Sequence, residues 1–89
     1  MANMFVRGTV GNHALFKDTF DGEDEMRRAA GSTGNAVYQS ADDPNEITIR
    51  ADFPTIDEAK AFAASDGLKE AMQRAGITGP PTIWFVNQT

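Results

Sequence analysis

His13 is the only histidine in the chain, and Tyr38 and Trp84 are its only tyrosine and tryptophan. An imidazole is the side chain that ionises nearest neutral pH, so His13 is the natural candidate for a base that moves a proton. Tyr38 and Trp84 each join an apolar body to a polar tip, which suits the positioning of a planar ligand. The candidate catalytic residues are therefore His13 and Tyr38, with Trp84 as a substrate-binding group. Each has a plainer alternative. His13 can be an exposed or half-buried residue of a first helical turn, and the two aromatics can be packing in a core or an interface.

A second group is built from charge. Read as strands, 3–10 and 46–53 alternate, with Arg7 beside Phe5 and Thr9 and with Arg50 and Asp52 beside Glu46 and Thr48. An Arg–Asp pair on one sheet face can be bidentate, and such a face can bind a carboxylate or enolate. The alternative is an ion-pair network between two copies of the chain. On that reading Arg7, Thr48, Arg50 and Asp52 are dimer-interface residues.

Metal chemistry finds little support. The run "DGEDE" at 21–25 holds four acids but lacks the spacing of a calcium loop and reads as a solvated turn. There is no cysteine and no second histidine, which excludes thiolate zinc sites, iron–sulfur clusters and thiol nucleophiles. A haem would find only His13 as an imidazole. No G-x-S-x-G elbow or phosphate-cradling glycine loop is present. No metal and no cofactor is expected.

These residues need elements to hold them. Gly11 ends the first strand, and Asn12 can cap a helix by accepting from the open N–H groups of its first turn. Phe16 and Phe20 stand one turn apart in that helix, with Leu15 beside them. Gly22 and the acids interrupt it before "MRRAAG" resumes, giving one broken helix. Residues 34–41 read as a second strand, and "DDPN" as a turn in which Pro44 sets φ. With 46–53 as the third strand, they form a hairpin.

"TIDE", with Thr55 as cap and Glu58 three residues on, is a capping box. It opens a second helix with an apolar stripe of Ile56, Ala59, Phe62 and Ala63. Ser65-Asp66-Gly67 breaks that helix, and Leu68, Ala71, Met72 and Ala75 carry the stripe to Gly76. "TGPP" reads as a rigid loop and "TIWFVN" as a last strand, apolar on both faces. The order β-α-β-β-α-β predicts an α+β, ferredoxin-like fold: a four-stranded antiparallel sheet with two helices on one face and strand order 4-1-3-2.

Composition narrows the partners. The net charge is −5, and the eight basic residues are scattered, with Arg27-Arg28 the only adjacent pair. A phosphate backbone or an anionic membrane needs clustered cations, so neither nucleic acid nor a membrane is expected. With 89 residues, 40% of them hydrophobic, the chain is expected to form a single small domain over 1–89 with a thin core. A second copy would relieve that thinness, so a homo-oligomer is expected. The start "MANMFVRGTV" lacks a basic segment followed by an apolar run, and no stretch approaches the ~20 apolar residues of a span. The expected location is the cytoplasm.

Two segments carry a resemblance to a known family. "DDPNEITI" resembles the acidic turn and third strand of the dimeric α/β-barrel superfamily. "FPTIDEAKAFAASDGLKEAMQRAGITGPP" resembles the second helix and exit loop of its small members, often labelled antibiotic-biosynthesis monooxygenase-like or cyclase-like. The resemblance implies two ferredoxin-like subunits with their sheets packed face to face, each with a pocket between sheet and helices. It also implies a range of activities, from cofactor-free oxygenation of aromatic polyketides to cyclisation, isomerisation and haem degradation. In this chain Phe16, Phe20, Phe62 and Met72 are the residues suited to line such a pocket, with His13, Tyr38 and Trp84 joining them if the two aromatics face the helices.

The expected function is therefore a homodimer that binds a small apolar or aromatic molecule, with monooxygenase- or cyclase-like chemistry as its enzymatic form. The rival is a non-catalytic structural or stress-related dimer with a filled core. An enzyme needs a cavity that reaches His13, roughly 300 Å³ or more by the usual size of ligand sites.

Overall fold

The computed structural model describes residues 1–89. Its strands are β1 (Ala2–Val10), β2 (Gly34–Gln39), β3 (Glu46–Phe53) and β4 (Ile77–Asn87). Between β1 and β2 lie α1 (His13–Gly22) and α2 (Asp24–Ala29), and between β3 and β4 lie α3 (Ile56–Ala63) and α4 (Asp66–Arg74). All strand pairings are antiparallel, in the order β2-β3-β1-β4, which is the predicted order. The architecture is the ferredoxin-like α+β plan, with each of its two helices broken into two pieces.

Side-chain hydrogen bonds set the helix starts. Asn12 Oδ1 accepts from Leu15 N at 3.1 Å, Thr55 Oγ1 from Glu58 N at 3.2 Å, and Ser65 Oγ from Leu68 N at 3.2 Å. Each satisfies a donor that the first helical turn leaves open. Ser65 also ends the preceding piece, because its hydroxyl donates to the Phe62 carbonyl at 2.7 Å. The hairpin turn is closed by Asp43, whose carboxylate accepts from Asn45 N at 2.9 Å and whose carbonyl accepts from Glu46 N at 3.1 Å.

Strand alternation sorts the sheet into two faces. Met4, Val6 and Val10 of β1 and Ile47, Ile49, Ala51 and Phe53 of β3 turn toward the helices and are buried. They meet Phe16 and Phe20 of α1, Ala59 and Phe62 of α3 and Leu68 of α4 in one core. Phe16, Phe53, Met4, Ile47, Val6 and Val10 are almost wholly buried, and each contributes about 1.5–3 kcal/mol relative to exposure. Leu15 departs from its expected place beside the phenylalanines and points outward, 53% exposed. The core-facing stripe of α1 runs through Phe16 and Phe20, one turn apart, and Leu15 lies off it.

"TGPP" is not a loop. Residues 78–81 lie inside β4, which pairs with β1 from Ile77 opposite Val10 to Asn87 opposite Ala2. The register shifts between Arg7 and Thr9, so that Gly79, Pro80 and Pro81 form a bulge. Gly79 sits at φ +69, a left-handed conformation that only glycine adopts freely. β4 is an edge strand, so the missing prolyl N–H groups break no central ladder. No helix is long and apolar enough to cross a membrane.

Candidate functional site

The helix-facing side holds a partly enclosed cavity of about 50 Å³. Phe16, Phe20, Met26, Phe62 and Met72 are among the residues that line it. Met4 and Val6 form part of its floor. An apolar cavity of ~150 Å³ is known to hold benzene, so this one as it stands takes a shorter group. Met26 and Phe62 also border a shallower groove between α2 and α3, shared with Ala29, Glu58 and Ala61. The unbranched Met26 side chain is thus part of the wall between cavity and surface.

His13 does not line the cavity. It is half-buried in the first turn of α1, its ring tilted against Phe16 with centroids 6.2 Å apart. Tyr38 and Trp84 do not line it either, and the cavity shared by these three residues does not form. Both aromatics lie on the opposite face of the sheet. Val37 is opposite Ile49, so its neighbour Tyr38 must turn away, opposite Thr48 and 49% exposed. Trp84 lies opposite Phe5 and stacks on it, 5.4 Å between centroids and 13° from parallel. With two apolar sides, β4 could turn either inward; pairing with β1 puts Ile83 and Phe85 against the core and leaves Trp84 and Val86 outside.

The charged group sits on that same helix-free face. Arg50 lies between Tyr38, whose hydroxyl accepts from Nη1 at 3.2 Å, and Asp52, whose Oδ1 is 3.0 Å from Nε. The Nε contact is an ion pair whose N–H is not aimed along it, so the Nε proton has no hydrogen-bond acceptor in the protein. Asp52 is 9% exposed and also accepts from Asn3 Nδ2 at 2.6 Å. Arg7 pairs instead with Glu46, its Nε donating at 2.6 Å. Thr48 stands between Arg7 on β1 and Tyr38 on β2. The face thus carries an aromatic end, Phe5 and Trp84, and a hydrogen-bonded charged end.

The cavity wall also holds two charged residues that were not among the sequence candidates, Glu23 and Arg27. Arg27 of α2 is only 6% exposed, and its guanidinium lies 3.8 Å from the centroid of the Phe20 ring. Burial lowers its pKa from the ordinary arginine range, against the raising influence of Asp24, Asp21 and Glu23. Spacing carries the signal for it: residues 16, 20, 23 and 27 follow helical periodicity, and the last two are Glu and Arg. The run of acids hides it, because "DGEDE" reads as a wet turn rather than as the approach to a buried position.

The chain has the fold of the antibiotic biosynthesis monooxygenase-like proteins. A presumptive antibiotic biosynthesis monooxygenase from Bordetella bronchiseptica superposes with a TM-score of 0.86 at 20% identity, over 99% of this chain and 96% of that one. SnoaB, a cofactor-independent oxygenase from Streptomyces nogalater, superposes with a TM-score of 0.78 at 14% identity, over 99% and 92% of the two chains. Rv0793 from Mycobacterium tuberculosis does so at 0.71 and 17%, over 99% and 94%. No protein-family model matches the sequence, and no curated protein matches it.

Proposed function

We propose that this protein is a homodimer that holds one small, largely apolar molecule per subunit between its sheet and its helices. The observation that carries the binding reading is the cavity itself. Phe16, Phe20, Phe62 and Met72 surround about 50 Å³ that they leave unfilled, whereas interiors are otherwise packed to crystal density. Dimerisation through the helix-free face is supported by its composition. Tyr38, Trp84 and Val86 are large apolar groups left 49%, 38% and 38% exposed, beside the Arg50–Asp52 pair. Aromatic and arginine side chains in this mixture are what protein interfaces favour.

An enzymatic role is supported by one fold neighbour, SnoaB, a cofactor-independent oxygenase. On that reading the substrate would be an enol or phenol whose own electrons reduce oxygen, and the protein would supply binding, orientation and a proton acceptor. The cavity wall favours binding over catalysis. Its only acid is Glu23, and Arg74 already engages that carboxylate at 2.7 Å. Binding is therefore the conclusion: the cavity holds about 50 Å³ and is not lined by His13, short of the roughly 300 Å³ reaching His13 that the enzymatic form requires.

Crystals pressurised with xenon test the cavity, since dry apolar cavities take up xenon. A xenon peak among Phe16, Phe62 and Met72 is expected; its absence there overturns the binding reading.

A further inference from the structure

Of the four methionines, Met26 alone borders the groove between α2 and α3. Met72 lines the cavity but not the groove, Met4 is 1% exposed, and Met1 lies at the open end of β1. The Met26 sulfur faces Gly67, the second residue of α4, which also borders the groove. A Cβ added at Gly67 would stand 3.6 Å from Met26 Sδ and, outside its own turn of helix, would meet nothing else within 4 Å. The missing side chain thus leaves one flank of the thioether uncovered. The backbone does not ask for glycine there, because Gly67 is not among the residues at positive φ, and alanine would suit the helix better.

We propose that Met26 is a site of reversible oxidation by hydroperoxides, reached from the groove at the flank that Gly67 leaves open, and that its sulfoxide loosens the wall between groove and cavity. The sulfur gives an electron pair to one peroxide oxygen and the O–O bond breaks. The proton of the transferred hydroxyl goes to the departing oxygen, which leaves as water or an alcohol. Sulfur is oxidised by two electrons and the peroxide reduced by two. The new S=O group is a strong acceptor, and it costs free energy to leave one unpaired in an apolar wall. No side chain at the groove has a donor to spare: the Ser65 hydroxyl already donates to the Phe62 carbonyl, and Glu58 only accepts. The oxygen therefore turns to the groove and draws the side chain away from its packing. Methionine sulfoxide reductases restore the thioether.

The test exposes the full chain to hydrogen peroxide and follows each methionine by mass spectrometry. Trypsin places Met26 in the peptide 18–27 and Met72 in the peptide 70–74, so each is read alone. Met26 is expected to oxidise well before Met4. Gly67→Ala, whose methyl covers the sulfur, is expected to slow Met26 severalfold and leave Met72 unchanged. The oxidised wild type is expected to melt at a lower temperature, and reductase treatment to restore it. Met26 as slow as Met4, or a Met26 rate unchanged in Gly67→Ala, overturns the site. An unchanged melting temperature for protein oxidised at Met26 overturns the loosening of the wall. Met26→Leu, which keeps the apolar bulk without the sulfur, is expected to abolish the peroxide-induced drop in melting temperature; a drop that persists assigns it to another methionine and overturns the proposal.

Discussion

Phe5 and Trp84 face each other across β1 and β4, with ring centroids 5.4 Å apart, on the side of the sheet that no helix covers. Stacking shields one face of each ring and leaves Trp84 38% exposed. If this face joins two copies, Trp84 is a natural anchor, because large aromatics carry a disproportionate share of interface energy. Trp84→Ala is expected to cost about 2 kcal/mol of dimer free energy, the threshold for such an anchor. Sedimentation velocity across a dilution series would show a raised dissociation constant; an unchanged one would remove Trp84 from the interface.

Arg50 ties the charged end of the face together through Tyr38 and Asp52. Arg50→Ala should weaken dimerisation and leave Asp52, 9% exposed, with only the Asn3 side chain as its partner. The expected result at micromolar protein is a shift toward the monomer. Sedimentation identical to the wild type would sink the idea that this network serves the interface.

Met26 separates the cavity from the groove between α2 and α3. Met26→Ala should join the two and admit a larger ligand. Removing a half-buried Met should cost about 1–3 kcal/mol of stability, below the full range for a buried one. Saturating benzene should then raise the melting temperature of the variant by several degrees and that of the wild type by less, since ligands stabilise the state they bind. Equal responses would show that Met26 is not the barrier.

Thr55 and Ser65 cap α3 and α4 by the same device, but Ser65 has a second task. Its hydroxyl also donates to the Phe62 carbonyl at 2.7 Å. Thr55→Ala should cost about 1 kcal/mol and Ser65→Ala rather more, toward the upper end of ~2 kcal/mol for caps. Urea unfolding checks the order; a Ser65 variant no weaker than the Thr55 variant would show that the second bond adds nothing.

The helix starts and the strand order were legible because both are local or combinatorial. A cap at Asn12, Thr55 or Ser65 needs only a side-chain oxygen three residues before a helical N–H. The order 4-1-3-2 follows once six elements are placed, since right-handed crossovers leave one arrangement. Gly79-Pro80-Pro81 misled for a related reason. Gly and Pro signal a break in isolation, yet an edge strand tolerates both, and whether a strand lies at the edge is a property of the whole sheet.

By itself, the sequence determined the alternation of β1 and β3, because each has only one apolar side that a core could use. It likewise determined the helical stripe from Phe16 to Phe20 and the breaks at Gly22 and Ser65. Tertiary structure alone decided the rest. β2 and β4 have no such unambiguous side, so their faces were chosen by register: Val37 against Ile49 sends Tyr38 outward, and Trp84 against Phe5 does the same. Arg27 is buried because α2 lays it over Phe20 beside the cavity. That burial depends on packing between elements, which no short stretch of residues encodes.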